Sequence, residues 1–298
     1  MTTLTEAMAS GAVVLDGGLA TQLEAQGQHL STELWSARLL LDDPGAIEAA
    51  HRAYFRAGAS VAISASYQAS FDGFARLGVP AADAADLMRS SVDIARAAAD
   101  LGDGRQRWVA ASVGPYGATL ADGSEYRGDY DLDVAGLRRW HAPRLEVLAD
   151  SGADVLAIET IPCLAEVEAV LTELSGLGVP AWVSLTCSGG LTRAGEPVEE
   201  AFAMTRDVPE VVAVGVNCTE ASEVAALADI ASHVAAVPVV VYPNSGEEWD
   251  AQRHAWTGRA SYAPEQIDSW VAHGARLVGG CCRVGPAQIA DIAARLTR

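Results

Sequence analysis

Cys281 and Cys282 stand side by side in the stretch Leu277 to Pro286, Leu-Val-Gly-Gly-Cys-Cys-Arg-Val-Gly-Pro, directly after two glycines. The stretch begins as a buried strand. Neighbouring side chains on a regular strand point to opposite faces, so the two thiols meet at one point only where the backbone leaves the pleat. Gly279 and Gly280 permit that departure. Two converging thiolates make half of a tetrahedral zinc site, and the residue best placed to extend it is Cys218, at the end of Val-Val-Ala-Val-Gly-Val-Asn-Cys. No histidine competes at a predicted strand end: His51, His141, His233 and His273 fall within or at the ends of helices, His29 and His254 in loops. The expectation is an all-sulfur Zn2+ site with three protein ligands and one open position, the mark of a catalytic zinc. A zinc carrying three negative sulfurs activates water weakly but holds an incoming thiol as a thiolate at neutral pH. A thiol substrate is therefore favoured, and its thiolate can attack a methyl group in line if that methyl sits on a good leaving group. Cys163 and Cys187 have no paired spacing and read as small core residues.

The elements that must position these thiols alternate between apolar strands and helices. Strands are expected at Val13 to Leu15, Val61 to Tyr67, Trp108 to Val113, Asp154 to Glu159, Trp182 to Cys187, Val211 to Cys218, Pro238 to Tyr242 and Ala275 to Gly279. Helices separate them, with a break near Gly78-Val79-Pro80 and with Pro143 expected to kink or split the helix from about Leu132 to Asp150. Residues 114–130 hold four glycines and three tyrosines and are too long for an ordinary connection, so they read as a lid. Eight strands each followed by a helix have the count and size of a single (β/α)8 TIM barrel over residues 1–298, with no internal domain boundary. A doubly wound sheet would need a phosphate-binding glycine fingerprint after the first strand, and Asp16-Gly17-Gly18-Leu19-Ala20 supplies none. In a barrel the residues just beyond the strands share one rim: Asp16, Tyr67, Pro115, Glu159, Cys187, Cys218, Asn244 and the pair Cys281 with Cys282.

Twenty basic against 39 acidic residues give a formal net charge of −19, which argues against a nucleic acid or an anionic membrane as partner. The start, Met-Thr-Thr-Leu-Thr-Glu-Ala-Met, has no basic region leading into an apolar core, and no run of about 18 apolar residues occurs. A cytoplasmic protein is expected. In a reducing compartment five cysteines point to metal, catalysis or packing rather than to disulfides.

Along nearly its whole length the chain resembles the homocysteine S-methyltransferases, a family that includes the zinc domains of betaine-dependent and cobalamin-dependent methionine-forming enzymes. The resemblance rests on Asp16-Gly17-Gly18, Ser112-Val113-Gly114-Pro115-Tyr116-Gly117, Ala121-Asp122-Gly123-Ser124-Glu125-Tyr126, Glu159-Thr160-Ile161-Pro162, Val216-Asn217-Cys218, Tyr242-Pro243-Asn244-Ser245-Gly246-Glu247 and Gly279-Gly280-Cys281-Cys282-Arg283. It implies that Cys218, Cys281 and Cys282 are zinc ligands, and that Asp16, Gly17 and Gly18 with Glu159 hold the amino-acid end of homocysteine. Glu159 would face the ammonium, and the Gly17-Gly18 backbone would donate to the carboxylate. Only 15 residues follow Arg283, so the chain is similar to the compact branch that uses a sulfonium donor, S-methylmethionine or S-adenosylmethionine. Tyr67, Tyr116, Tyr126 and Trp249, with Glu247, lie on loops suited to holding the donor's positive charge. Asn244 either orients a substrate through its amide or forms a turn, and Arg283 supports a ligand or pairs a carboxylate. Before substrate arrives, water, Asn217 or a rim hydroxyl would fill the fourth zinc position. Two other readings remain: a thiol redox protein with a disulfide among Cys218, Cys281 and Cys282, and a metal-binding barrel without turnover.

Overall fold

The computed structural model describes residues 2–29, 34–250, 255–257 and 262–297. Eight strands form the frame: β1 (Val13–Val14), β2 (Val61–Ile63), β3 (Trp108–Val113), β4 (Val155–Ile161), β5 (Ala181–Leu185), β6 (Val211–Asn217), β7 (Val239–Tyr242) and β8 (Ala275–Val278). From β2 to β8 each strand pairs in parallel with the next. Strand β8 returns to β1 through Val13 opposite Leu277, and a parallel bridge from Leu15 to Val61 joins β1 to β2. The ring is closed, so the chain is a (β/α)8 barrel with helices on the outside. Every residue of β3, β4, β5 and β7 is buried, as a strand covered on both faces requires.

The interior is filled by Leu15, Val61, Ala110, Ala157, Trp182, Ala213, Val240, Tyr242 and Leu277. Small residues on β3, β4 and β6 leave room for the two large rings on β5 and β7. Gly215 belongs to the same fit, because a Cβ there would lie 1.8 Å from the Val240 carbonyl oxygen. The bottom is closed by an unanticipated helix, Leu4–Ser10, which inserts Leu4 and Met8 beneath the strands. Thr3 and Glu6 cap that helix reciprocally.

Three expectations about the elements change. Pro143 does not split the helix Val134–Ala149, which runs through it as one element. Pro143 and Arg139, whose carbonyl loses its partner, both lie on the exposed face, where water can serve the freed oxygen. Strand β2 stops at Ile63 rather than Tyr67. The buried Arg144 guanidinium takes the carbonyls of Ser66 (2.9 Å), Tyr67 (2.6 Å) and Gly114 (2.7 Å), drawing that backbone out of the ladder. Strand β5 stops at Leu185, and Cys187 opens a short hairpin, Cys187–Ser188 with Leu191–Thr192. Among the described residues no helix is long and apolar enough to cross a membrane.

Candidate metal and substrate site

At the upper ends of β6 and β8, two places apart around the ring, the three cysteines come together. The Sγ atoms of Cys218, Cys281 and Cys282 lie within 4.8 Å of one another, with Cys218 and Cys282 4.0 Å apart. All five cysteines are free. Around a tetrahedral zinc with Zn–S bonds of about 2.3 Å the sulfurs stand about 3.8 Å apart, so a small contraction would seat the ion. The backbone is fixed to hold this geometry. Gly279 N–H donates to Val241, Gly280 to Asp16, and Cys281 to Pro243. Cys282 N–H donates to Asn244 Oδ1 at 3.1 Å, and Arg283 N–H to Thr21 Oγ1 at 2.9 Å. The departure from the pleat is not made by glycine φ angles, as anticipated. Gly279 and Gly280 provide space: their Cβ atoms would meet Leu15 at 2.6 Å and Val284 at 2.1 Å. The left-handed residues are Cys218 (φ 47°) and Arg283 (φ 63°), which bracket the cluster.

Without a cation the cluster cannot carry three charges. Hydrogen bonds from Cys218 and Cys281 push the Cys282 thiol well down, and the same sharing pushes Cys281 well up. One thiolate with two thiols is the arrangement expected of a site completed by a dication, which favours ionisation of all three. The donor set fits zinc. Cys163 and Cys187 lie outside the cluster, buried, with thiols pushed up to about 12 by burial, as their reading as packing residues requires.

Two buried carboxyls share the rim. Asp16 Oδ2 accepts from Ile63 N–H at 2.9 Å, while Oδ1 has no hydrogen-bond partner among the described residues. Burial pushes this carboxyl well above its usual range. His51, at 4.0 Å, offers Asp16 no charge, because burial lowers the imidazole to about 4. Glu159 accepts from the Ser112 hydroxyl through Oε1 and from the Tyr242 hydroxyl through Oε2 at 3.0 Å, and burial pushes it up to about 7. The next residue, Thr160, is a β-branched side chain at φ 63°, a strained position. Asn217 holds it there. Its Oδ1 accepts from Thr160 N–H at 2.7 Å and Ser184 Oγ at 2.8 Å, and its Nδ2 donates to Thr160 Oγ1 at 2.7 Å. With its amide so engaged, Asn217 positions the rim rather than offering a fourth ligand.

The loop after β3 carries two short turns, Tyr116–Thr119 and Ser124–Tyr126. Asp122 Oδ1 accepts from Ser124 N–H at 2.9 Å, and Arg127 N–H bonds back to the Ser124 carbonyl. Gly117 lets the second turn approach, since a Cβ there would lie 2.5 Å from Glu125 N. This places Tyr126 against the cysteines and Glu125 within electrostatic reach of Cys218. Tyr126 faces the Cys218 and Cys282 sulfurs, and the Tyr67 hydroxyl is pushed well up by burial, Glu125 and Cys218. Burial raises Glu125 to about 7.

The other residues expected to hold a cation are placed differently. The Tyr116 ring packs edge-on against Tyr130 and Trp140, at 5.4 Å and 5.3 Å. Glu247 pairs with Arg283 at 3.3 Å, and the Trp249 side chain lies outside the described residues, as does His254. Asn244 positions Cys282, and the Gly18 N–H is taken by the Val284 carbonyl at 3.0 Å, so it is not the expected carboxylate donor. Gly17 and Gly18 also allow close contact: Cβ atoms there would lie 2.3 Å from the Val284 carbonyl and 2.5 Å from that of Cys281. Sequence reasoning missed Ser112, Thr160, Arg144, Tyr242 and Glu125. A serine and a tyrosine in the apolar runs of β3 and β7 were the available signals for two of them.

The homocysteine S-methyltransferase family profile matches residues 13–296. The homocysteine S-methyltransferase YbgG of Bacillus subtilis is 42% identical over 95% of this chain and 93% of its own. A homocysteine S-methyltransferase of Escherichia coli is 43% identical over 95% of this chain and 94% of its own. The crystal structure of the homocysteine methyltransferase MmuM from Escherichia coli, in its metallated form, superposes with a TM-score of 0.85 at 41% identity, covering 96% of each chain.

Proposed function

From the premise that the chain belongs to the homocysteine S-methyltransferase family, we propose that it moves a methyl group from a sulfonium donor to the sulfur of L-homocysteine, forming methionine, with zinc held by Cys218, Cys281 and Cys282. The observation that carries this reading is the convergence of three thiols within 4.8 Å on the rim that also presents Asp16 and Glu159. Bound there, zinc would supply the Lewis acidity that keeps a substrate thiol ionised at neutral pH. The unpartnered Asp16 Oδ1 and the Glu159 carboxylate would take the homocysteine ammonium, which offsets the burial of both acids. Thr160 and Asn217 fix Glu159 at the end of β4, so the amino-acid end and the sulfur are set independently.

In the transfer, homocysteine sulfur gives an electron pair to the methyl carbon as the carbon–sulfonium bond breaks. That bonding pair stays on the donor sulfur, which leaves as a neutral thioether without needing a proton. The homocysteine thiol proton has already gone to solvent on binding. Tyr67, on the lid side of the cysteines, would border the donor cation, and Tyr126 would line the same side next to the sulfurs. S-methylmethionine gives two methionines, and S-adenosylmethionine is the other donor of this class. The whole chain, 1–298, serves as one homocysteine-binding domain in the reducing cytoplasm, where its thiols stay free.

The test is methionine formation by reduced, zinc-loaded protein supplied with homocysteine and either S-methylmethionine or S-adenosylmethionine. Turnover is expected with at least one donor, and the ratio of kcat/KM values identifies the preferred one. Cys218→Ala is expected to lose bound zinc and to keep less than about 1% of the activity. A zinc-free protein with full activity would sink the mechanism.

A further inference from the structure

Glu125 carries a buried carboxylate oxygen that nothing in the fold uses. Its Oε2 has no hydrogen-bond partner among the described residues; Glu166 also leaves its Oε2 unpartnered, but its Oε1 is held by the Tyr116 N–H of the lid and by His141. Arg127, two residues on, bridges Asp122 at 3.7 Å and Asp129 at 3.1 Å. Arg193 lies 5.6 Å from the centre of the Tyr126 ring and donates to Thr186 Oγ1 at 3.2 Å and to the Cys218 carbonyl at 3.4 Å. Glu247, the acid first expected to serve a cation, is neutralised by Arg283 at 3.3 Å. A desolvated, uncompensated carboxylate is costly in a folded protein and is retained where a ligand cation completes it.

The position of Glu125 says which cation. It projects from the turn Ser124–Tyr126, on the lid side of the cluster, where its charge acts on Tyr67 and is in turn acted on by Cys218. Asp16 and Glu159 stand at the ends of β1 and β4 instead. A methyl group delivered to a sulfur opposite the three cysteines must come from the open, lid side. The atom nearest the attacking sulfur is then the methyl, and the next is the positive sulfur that carries it. Glu125, near Tyr67 and next to Tyr126 in the chain, is thus placed beside the sulfonium rather than at the homocysteine ammonium. The turn is held stiffly by Asp122, Ser124 and the Gly117 contact, so the carboxylate is oriented before the donor arrives.

We propose that Glu125 is the counter-charge for the donor sulfonium and sets the preference of the site for a cationic methyl donor. This rests on the methyltransferase reading and adds a residue to it. The experiment compares wild type, Glu125→Gln, Glu125→Asp and Glu247→Gln, measuring separate KM values for S-methylmethionine and homocysteine, zinc content and thermal midpoint. Trimethylsulfonium, which has the charge but no amino-acid end, is added as an inhibitor competing with the donor.

Glu125→Gln is expected to raise both the donor KM and the trimethylsulfonium inhibition constant at least about ten-fold, with homocysteine KM and zinc content within about two-fold of wild type. Glu125→Asp, which keeps the charge, is expected to recover part of the loss, and Glu247→Gln to leave the donor KM unchanged. The proposal is overturned by a donor KM unmoved in Glu125→Gln, by an equal rise in homocysteine KM, or by a trimethylsulfonium constant that stays put, which would assign Glu125 to an ammonium group. If wild type forms no methionine from either sulfonium, the methyltransferase reading itself falls and this assignment with it.

Discussion

Glu159 is the residue whose chemistry depends most on its surroundings. Burial brings its carboxyl to about 7, against an ordinary value of 4.5. Above that pH it is an anion and can pair with an ammonium; as pH falls through 7 it takes up a proton and the pairing is lost. We expect kcat/KM for homocysteine to fall by up to about ten-fold per pH unit below 7, and Glu159→Gln to be slow with a shallower dependence, because Asp16, also raised by burial, faces the same ammonium. A Glu159→Gln profile with the wild-type slope would assign the titration elsewhere. The stability effect has the opposite sign: between about 4.5 and 7 the folded protein keeps a proton that the unfolded chain has lost, so this residue destabilises the fold as pH rises through that window. The three clustered thiols and both acids were legible from their places at strand ends. Ser112, Tyr242 and Asn217 were not legible as supports, because a polar residue in an apolar strand does not reveal which distant group it will bond. Thr160 was hidden for a different reason: the Asn217 amide on another strand holds its left-handed backbone in place.

At the level of elements, the site is a junction between the first and last strands. The Asp16-Gly17-Gly18 segment after β1 packs directly on residues 280–284 after β8, through Gly280 N–H to Asp16, Gly18 N–H to Val284, and the Gly18 contact with Cys281. Gly18→Ala would drive a methyl group to 2.5 Å from the Cys281 carbonyl and displace the metal-binding turn. It is expected to weaken zinc retention by about ten-fold or more, measured by competition with a chelator, while the barrel stays folded by circular dichroism. Unchanged zinc affinity would show that the turn has slack. The glycines were visible in the sequence, yet their reason was not. Glycine signals both φ freedom and close approach, and the chain here uses close approach at Gly17, Gly18, Gly279 and Gly280, leaving the left-handed angles to Cys218 and Arg283. The lid follows the same pattern. Its length and composition marked it, but the Gly117 contact and the Arg144 anchor that aim it depend on other elements.

For the whole molecule, a closed ring of eight short strands needs both ends sealed. The upper end is covered by the lid and rim, and the lower by Leu4–Ser10. Removing residues 2–10 would bare the lower interior and is expected to cost about 3–6 kcal/mol in chemical denaturation, the burial of Leu4 and Met8. Zinc binding should survive in the protein that remains folded, since the cysteines stand at the opposite end; loss of zinc from a folded truncated protein would show that the two ends are coupled. The sequence by itself determined the barrel, because strand and helix periodicities repeat eight times and each is a local property of the chain. It also determined the thiol chemistry, because strand ends in such a ring share one rim whatever fills the interior. Only the tertiary structure decided which rim groups are free and which are spent. Gly18, Asn217, Asn244 and Glu247 are engaged by neighbours distant in sequence, whereas Asp16 Oδ1 and Glu125 Oε2 have no hydrogen-bond partner among the described residues. Hydrogen bonding at a rim is a competition among all the loops that reach it, and its outcome is fixed only when the ring has closed.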